Sequence, residues 1–239
     1  MQIVPFGDRA VRLIFGDRID PAVQLKIGRF MQVLAQYPFP GYIEDVPAYT
    51  NLVVYYDPLT VIRHGEVGVA AQEQVRSYLF SVQNQINDEE EAAAEKQTVR
   101  IPVCYGGSYG PDLKEVAEFH HLSVDEVIAR HSAPHYLVYM LGFAPGFPFL
   151  GGLSEALETP RRAEPRLKIA AGSVGIAGKQ TGAYPLDSPG GWQIIGRTPV
   201  PLFRPKSDPP TLLSAGDLVQ FDPVSEEEYQ EIRERAPWH

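Results

Sequence analysis

The first third of the chain alternates between two hydrophobic spacings. Ile3 to Phe6 and Ala10 to Phe15 are β-branched and aromatic runs separated by a Gly7-Asp8 turn, the pattern of a strand pair. After Asp20, a capping residue, and Pro21, which suits a first helical turn, Val23, Ile27, Phe30, Met31 and Leu34 recur at helical spacing until Pro38. Tyr42 to Val46 and Asn51 to Tyr56 return to strand character, and Gly65 to Ile86 predicts a second helix. The predicted order over residues 1–88 is ββαββα, an α/β sandwich-like unit.

Periodicity then stops. Residues 87–96 are acidic and Ala-rich with no apolar face, so 89–98 reads as a linker between two domains. From Val99 onward Gly and Pro are frequent and apolar runs are short, with helices predicted only after Pro111 and over Ser123 to His131. Ser123 and Glu126 have the spacing of a capping box. The remainder of 99–239 reads as a compact β domain, a closed barrel with long loops, which makes the whole chain α+β.

Composition narrows the partners. A net charge of −9 over 239 residues, without a dense Lys/Arg cluster, opposes capture by nucleic acid or by an anionic membrane surface. The single cysteine, Cys104, rules out an intrachain disulfide and a Cys-based zinc cage; it sits in an apolar run with no adjacent base, which favours an inert buried thiol over a nucleophile. The N-terminus lacks the pattern of a secretory signal, and no apolar stretch reaches the roughly 18 residues of a membrane span. A soluble, cytoplasmic protein is expected.

Three segments of the second domain resemble one family. They are Ile101-Pro102-Val103-Cys104-Tyr105-Gly106-Gly107 continuing to Gly110-Pro111-Asp112-Leu113; His131 through Tyr136, Tyr139, Gly142, Phe143, Pro145, Gly146 and Phe147 to Leu150-Gly151-Gly152-Leu153; and Pro160-Arg161 through Gly172 to Gly178, Gln180-Thr181-Gly182 and Ser188-Pro189-Gly190-Gly191-Trp192 to Pro199. They are similar to the KipI family, also described as the B-type component of 5-oxoprolinase or as allophanate hydrolase subunit 1-like. Phe149 stands where that motif has a tyrosine and Ala170 where a proline is usual. The resemblance implies an N-terminal α/β domain followed by a cyclophilin-like β-barrel. It further implies ATP-dependent opening of 5-oxoproline to glutamate, by a complex with two partners, a KipA-like (C-type) 5-oxoprolinase component and a LamB/YcsF-like (A-type) component. The family also contains inhibitors of a sensor histidine kinase, which leaves a regulatory binding protein as the alternative.

Individual residues carry weaker signals. The glycines of 172–182, with Gly172 and Ser173 at their start, could form a pocket wall with exposed N–H groups or simply tight turns. Gln180, Thr181, Tyr184, Ser188 and Trp192 offer amide, hydroxyl and aromatic groups suited to a small polar lactam, in competition with core packing. His131 could carry a proton or hold a loop; with His135 it has helical metal spacing, but Pro134 intervenes and no carboxylate completes a site, so no metal is expected. Arg161, Arg166 and Arg197 could clamp a carboxylate or phosphate, or pair with the chain's acids. Ser173 lacks the first glycine of a nucleophile elbow, occupied by Ala171. No complete phosphate-binding loop is present, so ATP, with Mg, is expected to bind elsewhere in the complex. The apolar stretch holding Phe143, Pro145, Phe147 and Phe149 must be covered, by the barrel or by a partner surface, and because the resemblance implies a heteromer a partner interface is expected for at least part of it.

Overall fold

A computed structural model describes residues 1–88 and 98–235, which belong to two compact units, Met1–Glu95 and Lys96–His239. The linker expected at 89–98 lies outside the described residues except for Thr98, which begins a strand.

The first unit runs β1 (Gln2–Pro5), β2 (Ala10–Ile14), α1 (Pro21–Gln36), β3 (Tyr42–Pro47), β4 (Asn51–Tyr56), α2 (Pro58–His64) and α3 (Ala71–Asp88). Its sheet is antiparallel in the order β1-β2-β4-β3. Because side chains alternate across a strand, Leu52, Val54 and Tyr56 of β4 all face one side, where they meet Ile27, Phe30 and Leu34 of α1 and Val75, Leu79 and Val82 of α3. Asp20 caps α1 by accepting from the Ala22 N–H at 2.7 Å. The helix predicted from Gly65 instead starts at Ala71, and Pro58–His64 form a separate short helix. Its signal was in the sequence: Asp57 accepts from the Thr60 N–H at 3.3 Å, and Pro58 occupies the first turn, where a missing N–H costs nothing.

The second unit contains β5 (Thr98–Tyr105), α4 (Leu113–Phe119), α5 (Val124–Ser132), β6 (Tyr136–Leu141), β7 (Pro148–Gly151), a 3-10 turn (Glu155–Leu157), β8 (Arg166–Ile169), β9 (Ser173–Ala177), β10 (Gln180–Ala183), β11 (Ser188–Gly190), β12 (Gln193–Arg197), β13 (Leu218–Pro223) and α6 (Glu226–Arg235). Seven strands close into a barrel in the order β10-β7-β6-β13-β5-β12-β9, while β8 and β11 pair as a separate ribbon. Closure satisfies the backbone groups that an open sheet would leave on its edges. Ile101, Val103, Val138, Leu150, Val174, Ile176, Ile195, Val219 and Phe221 fill the core of this unit. An α+β unit followed by a barrel is the expected architecture, and the Ser123–Glu126 capping box forms as predicted. Helix α6 was not anticipated, although Ser225 and Glu228 cap it reciprocally, with N–H donations at 2.8 and 3.1 Å. No helix among the described residues is long and apolar enough to cross a membrane.

The β5–α4 loop is pressed against β12. The N–H of Gly106 donates to the Ile195 carbonyl at 3.0 Å, and a Cβ on Gly110 would lie 2.0 Å from that same oxygen. Gly110→Ala is therefore expected to destabilise the protein by about 3 kcal/mol or more, since a backbone carbonyl within the barrel has little room to yield. Equilibrium urea unfolding measures this; a variant with unchanged midpoint would contradict the close approach.

Candidate functional site

The barrel unit buries most of the predicted site residues and leaves Arg161, Phe143 and Pro145 exposed. His131, at the end of α5, has no solvent exposure and stacks on Phe221 with ring centroids 4.9 Å apart. Its Nδ1 lies 2.8 Å from the Tyr105 hydroxyl and its Nε2 lies 2.8 Å from Thr181 Oγ1, which in turn donates to the Gly175 carbonyl at 3.0 Å. That last donation uses the only proton on Oγ1 and so sets the polarity of the string: Nε2–H donates to Thr181, and Nδ1 accepts from Tyr105. Tyr136 donates its hydroxyl to the His131 carbonyl at 2.7 Å, fixing the backbone as well. Thr181 is equally buried, so neither residue presents its polar atoms to a ligand.

Burial pushes the His131 imidazolium pKa down from 6.5 to about 3. A residue held neutral with both nitrogens engaged braces the barrel; this geometry supports the structural alternative over proton transfer. Between about pH 6.5 and pH 3 the unfolded chain binds a proton at this residue that the folded chain refuses, so stability is full above that window and falls as pH falls through it. Wild type is expected to lose about 2 kcal/mol more than His131→Gln between about pH 7 and pH 5. Urea unfolding at the two pH values tests this, and equal losses in both proteins would contradict it.

The glycine segment also differs from its simplest reading. Gly172, at φ +82°, donates its N–H to the Tyr184 carbonyl at 2.7 Å, Ser173 donates to Ala170 at 3.1 Å, and Gly178 donates to Thr159 at 2.7 Å. These amides are engaged within the chain, and both Gly172 and Ser173 are buried. Ser173 and Tyr184 are joined again by the Tyr184 N–H, 2.8 Å from the Ser173 carbonyl. The segment is thus the tight connection that aims Tyr184, rather than a wall of free donors.

Phe147, Tyr184 and Trp192 form a second, smaller buried cluster with nearly orthogonal rings: centroids are 5.3 Å apart for Phe147–Tyr184, 5.5 Å for Phe147–Trp192 and 6.0 Å for Tyr184–Trp192. Gly182 makes room for it, because a Cβ there would lie 3.3 Å from the Trp192 ring and 2.9 Å from the Pro148 carbonyl. Phe149 packs its edge on Phe147 at 5.1 Å, as does Phe143 at 5.5 Å. The stretch predicted to meet a partner is therefore split. Phe147 is core, 2% exposed, whereas Phe143 is 70% exposed and Pro145 lies at the surface beside it. Phe143 takes φ +66° in a tight turn whose Ala144 N–H donates to the Gly142 carbonyl at 2.7 Å, an unusual backbone state for an aromatic residue.

The three arginines have different fates. Arg166 donates twice to Asp112, at 2.9 and 2.6 Å, in a bidentate pair that leaves it no role in clamping a ligand. Arg197 is half-buried, with Nε donating to the Ala171 carbonyl at 2.7 Å. Arg161 is exposed and forms no ion pair or hydrogen bond among the described residues. It stands close enough to Tyr184 to oppose the burial that pushes that phenol up to about 12. Ser188, four residues after Tyr184, has a buried hydroxyl without a partner, and Gln180 is half-buried at the start of β10. Cys104 is 6% exposed, and burial raises its thiol pKa. Among the described residues no group of His, Cys, Asp and Glu is arranged to hold a metal.

Sequence reasoning missed Asp112 and Arg162. Asp112 precedes α4 as a cap would, yet its side chain makes no cap hydrogen bond and turns to β12 instead. Arg161 is left as an exposed cation near the buried Tyr184, without a pairing partner among the described residues. A free guanidinium of this kind can take an anion in a two-point fork.

A family model described as the carboxyltransferase domain, subdomain C and D, matches residues 1–213 and so reaches across both units. The chain is 48% identical over 236 residues to the B-type component of 5-oxoprolinase from Bacillus subtilis (strain 168), covering 98% of each. It is 43% identical over 221 residues to the corresponding 5-oxoprolinase component of Escherichia coli O157:H7, covering 92% of this chain and 94% of that one. The crystal structure of TTHA0988 superposes with a TM-score of 0.78 at 37% identity, over 91% of this chain and 40% of the larger one.

Proposed function

Because the chain belongs to the family of B-type 5-oxoprolinase components, built from carboxyltransferase-type subdomains, we propose that it is the component that orients 5-oxoproline in an ATP-dependent ring-opening complex. The observation that carries the reading is Arg161: an exposed guanidinium with no acid to pair with among the described residues, near the buried Tyr184. A planar guanidinium matches a carboxylate in a two-point fork, and the packed Phe147–Tyr184–Trp192 cluster gives the neighbouring surface a rigid backing. Arg197, anchored at Ala171, adds a second positive charge on this unit.

Opening a lactam requires activation of its carbonyl and delivery of water, with a proton reaching the departing nitrogen. The chain's own contribution is to hold the ring and to limit the water around it. His131 is closed off, so acid–base groups and the ATP site are assigned to the two partners, the KipA-like and the LamB/YcsF-like components. Exposed Phe143 and Pro145 supply an apolar contact for one of them.

The test is 5-oxoproline-dependent ATP hydrolysis by this chain alone and by the mixture of all three components. Turnover is expected only in the mixture. Arg161→Ala is expected to raise KM for 5-oxoproline about 10- to 100-fold, the worth of one charged hydrogen-bonded contact, with little change in kcat. An assembled but inactive mixture, or a variant with unchanged KM, would overturn the assignment.

A further inference from the structure

Arg161 lies in a segment with no regular structure of its own, between Thr159 and β8. A side chain on a free loop would lose much of its binding energy to ordering, so something must fix the segment beforehand. Four contacts do. The Pro160 carbonyl accepts from Gln193 Nε2 at 3.1 Å, and the Arg162 N–H donates to the Gly191 carbonyl at 2.8 Å. The other two converge on one carboxylate: Arg162 Nη1 donates to Asp112 at 3.0 Å, and Arg166 donates to it with both terminal nitrogens. Arg161 thus sits between two residues whose backbones are tied to the β11–β12 connection and β12, and is followed by two arginines held to the same buried acid.

Asp112 is itself immobile. It is 2% exposed, its N–H donates to the Ile194 carbonyl at 2.9 Å, and its Oδ2 accepts from the Ile194 N–H at 2.6 Å. It therefore bonds β12 in the way a neighbouring strand would, at the point where the β12–β9 register shifts between Ile194 and Gly196. The two guanidiniums reach it from the 160–166 segment. A rigid barrel strand, a buried carboxylate and the loop bearing Arg161 form one mechanical chain.

We propose that Asp112 is a positioning residue for substrate recognition: by binding Arg162 and Arg166 to β12 it sets the place from which Arg161 engages the carboxylate of the ring. This rests on the reading of Arg161 given above, and it adds a residue that touches no substrate. Preorganisation of this kind acts on binding, so its removal appears in KM and not in kcat, and it disappears once Arg161 is gone.

The experiment is a double-mutant cycle in the assembled three-component complex, with Asp112→Asn, Arg161→Ala and the pair, recording kcat, KM for 5-oxoproline and the thermal midpoint. Asp112→Asn keeps the size of the side chain and an oxygen for the Ile194 N–H. It is expected to raise KM about fivefold or more with kcat within about twofold, and to add no further KM change in the Arg161→Ala background. Arg166→Lys, which keeps the charge but gives up the fork, serves as a second route and is expected to behave in the same way if Asp112→Asn does not fold. Arg161→Ala with a raised KM, together with position-112 and position-166 variants that leave KM unchanged or multiply the Arg161 effect, would overturn the positioning role alone. Arg161→Ala without effect would overturn the assignment of Arg161 and this inference with it.

Discussion

A carboxylate that is almost completely buried persists only where cations and amides surround it, and in the barrel unit that constraint is met at Asp112. Its partners come from three places in the sequence: Arg162 from the segment leading into β8, Arg166 from the first position of that strand, and Ile194 from β12. Breaking such a site by removing one partner leaves a buried charge unmatched, so these segments are bound to keep a common geometry. The surroundings show the consequence. The β5–α4 loop lies so close to β12 that Gly110 has no space for a Cβ, and Gly106 is bonded to the same Ile195 carbonyl.

Two kinds of polar chemistry are thereby kept apart. Inside, Tyr105, His131, Thr181 and Gly175 form a directed string in which the protons are accounted for and the histidine stays neutral. At the surface, Arg161 is left without an ion pair or hydrogen bond among the described residues. The first set braces the interior of the barrel unit; the second position keeps hydrogen-bonding capacity that a bound anion could use.

Local signals read correctly wherever a physical rule acts over a few residues. Asp20 with Pro21 marked α1, and Ser123 with Glu126 marked α5; Asp57 with Pro58 and Ser225 with Glu228 carry similar information for α2 and α6, which the apolar pattern alone did not reveal. The barrel's strands are short and often buried on both sides, as in Ser173–Ala177, so they lack the alternation that would have fixed their register. What could not be read locally was the use of each polar group. His131 and Thr181 are 50 positions apart and Arg166 and Asp112 are 54 apart; each pair meets only in the folded unit, the second across the separate β8–β11 ribbon. Hence residues of the right chemical type for a site, among them Gly172, Ser173, Thr181 and Arg166, prove to be occupied with each other or with the backbone.

The proposed role of Arg161 is to receive the carboxylate of 5-oxoproline at the surface near Tyr184. Equilibrium binding of isotopically labelled 5-oxoproline to the assembled complex, without ATP, examines it apart from turnover. Saturable binding that weakens at least about tenfold in Arg161→Ala, with assembly and thermal midpoint unchanged, is the predicted result. Equal affinity in the two proteins would contradict it and move the substrate site away from this chain.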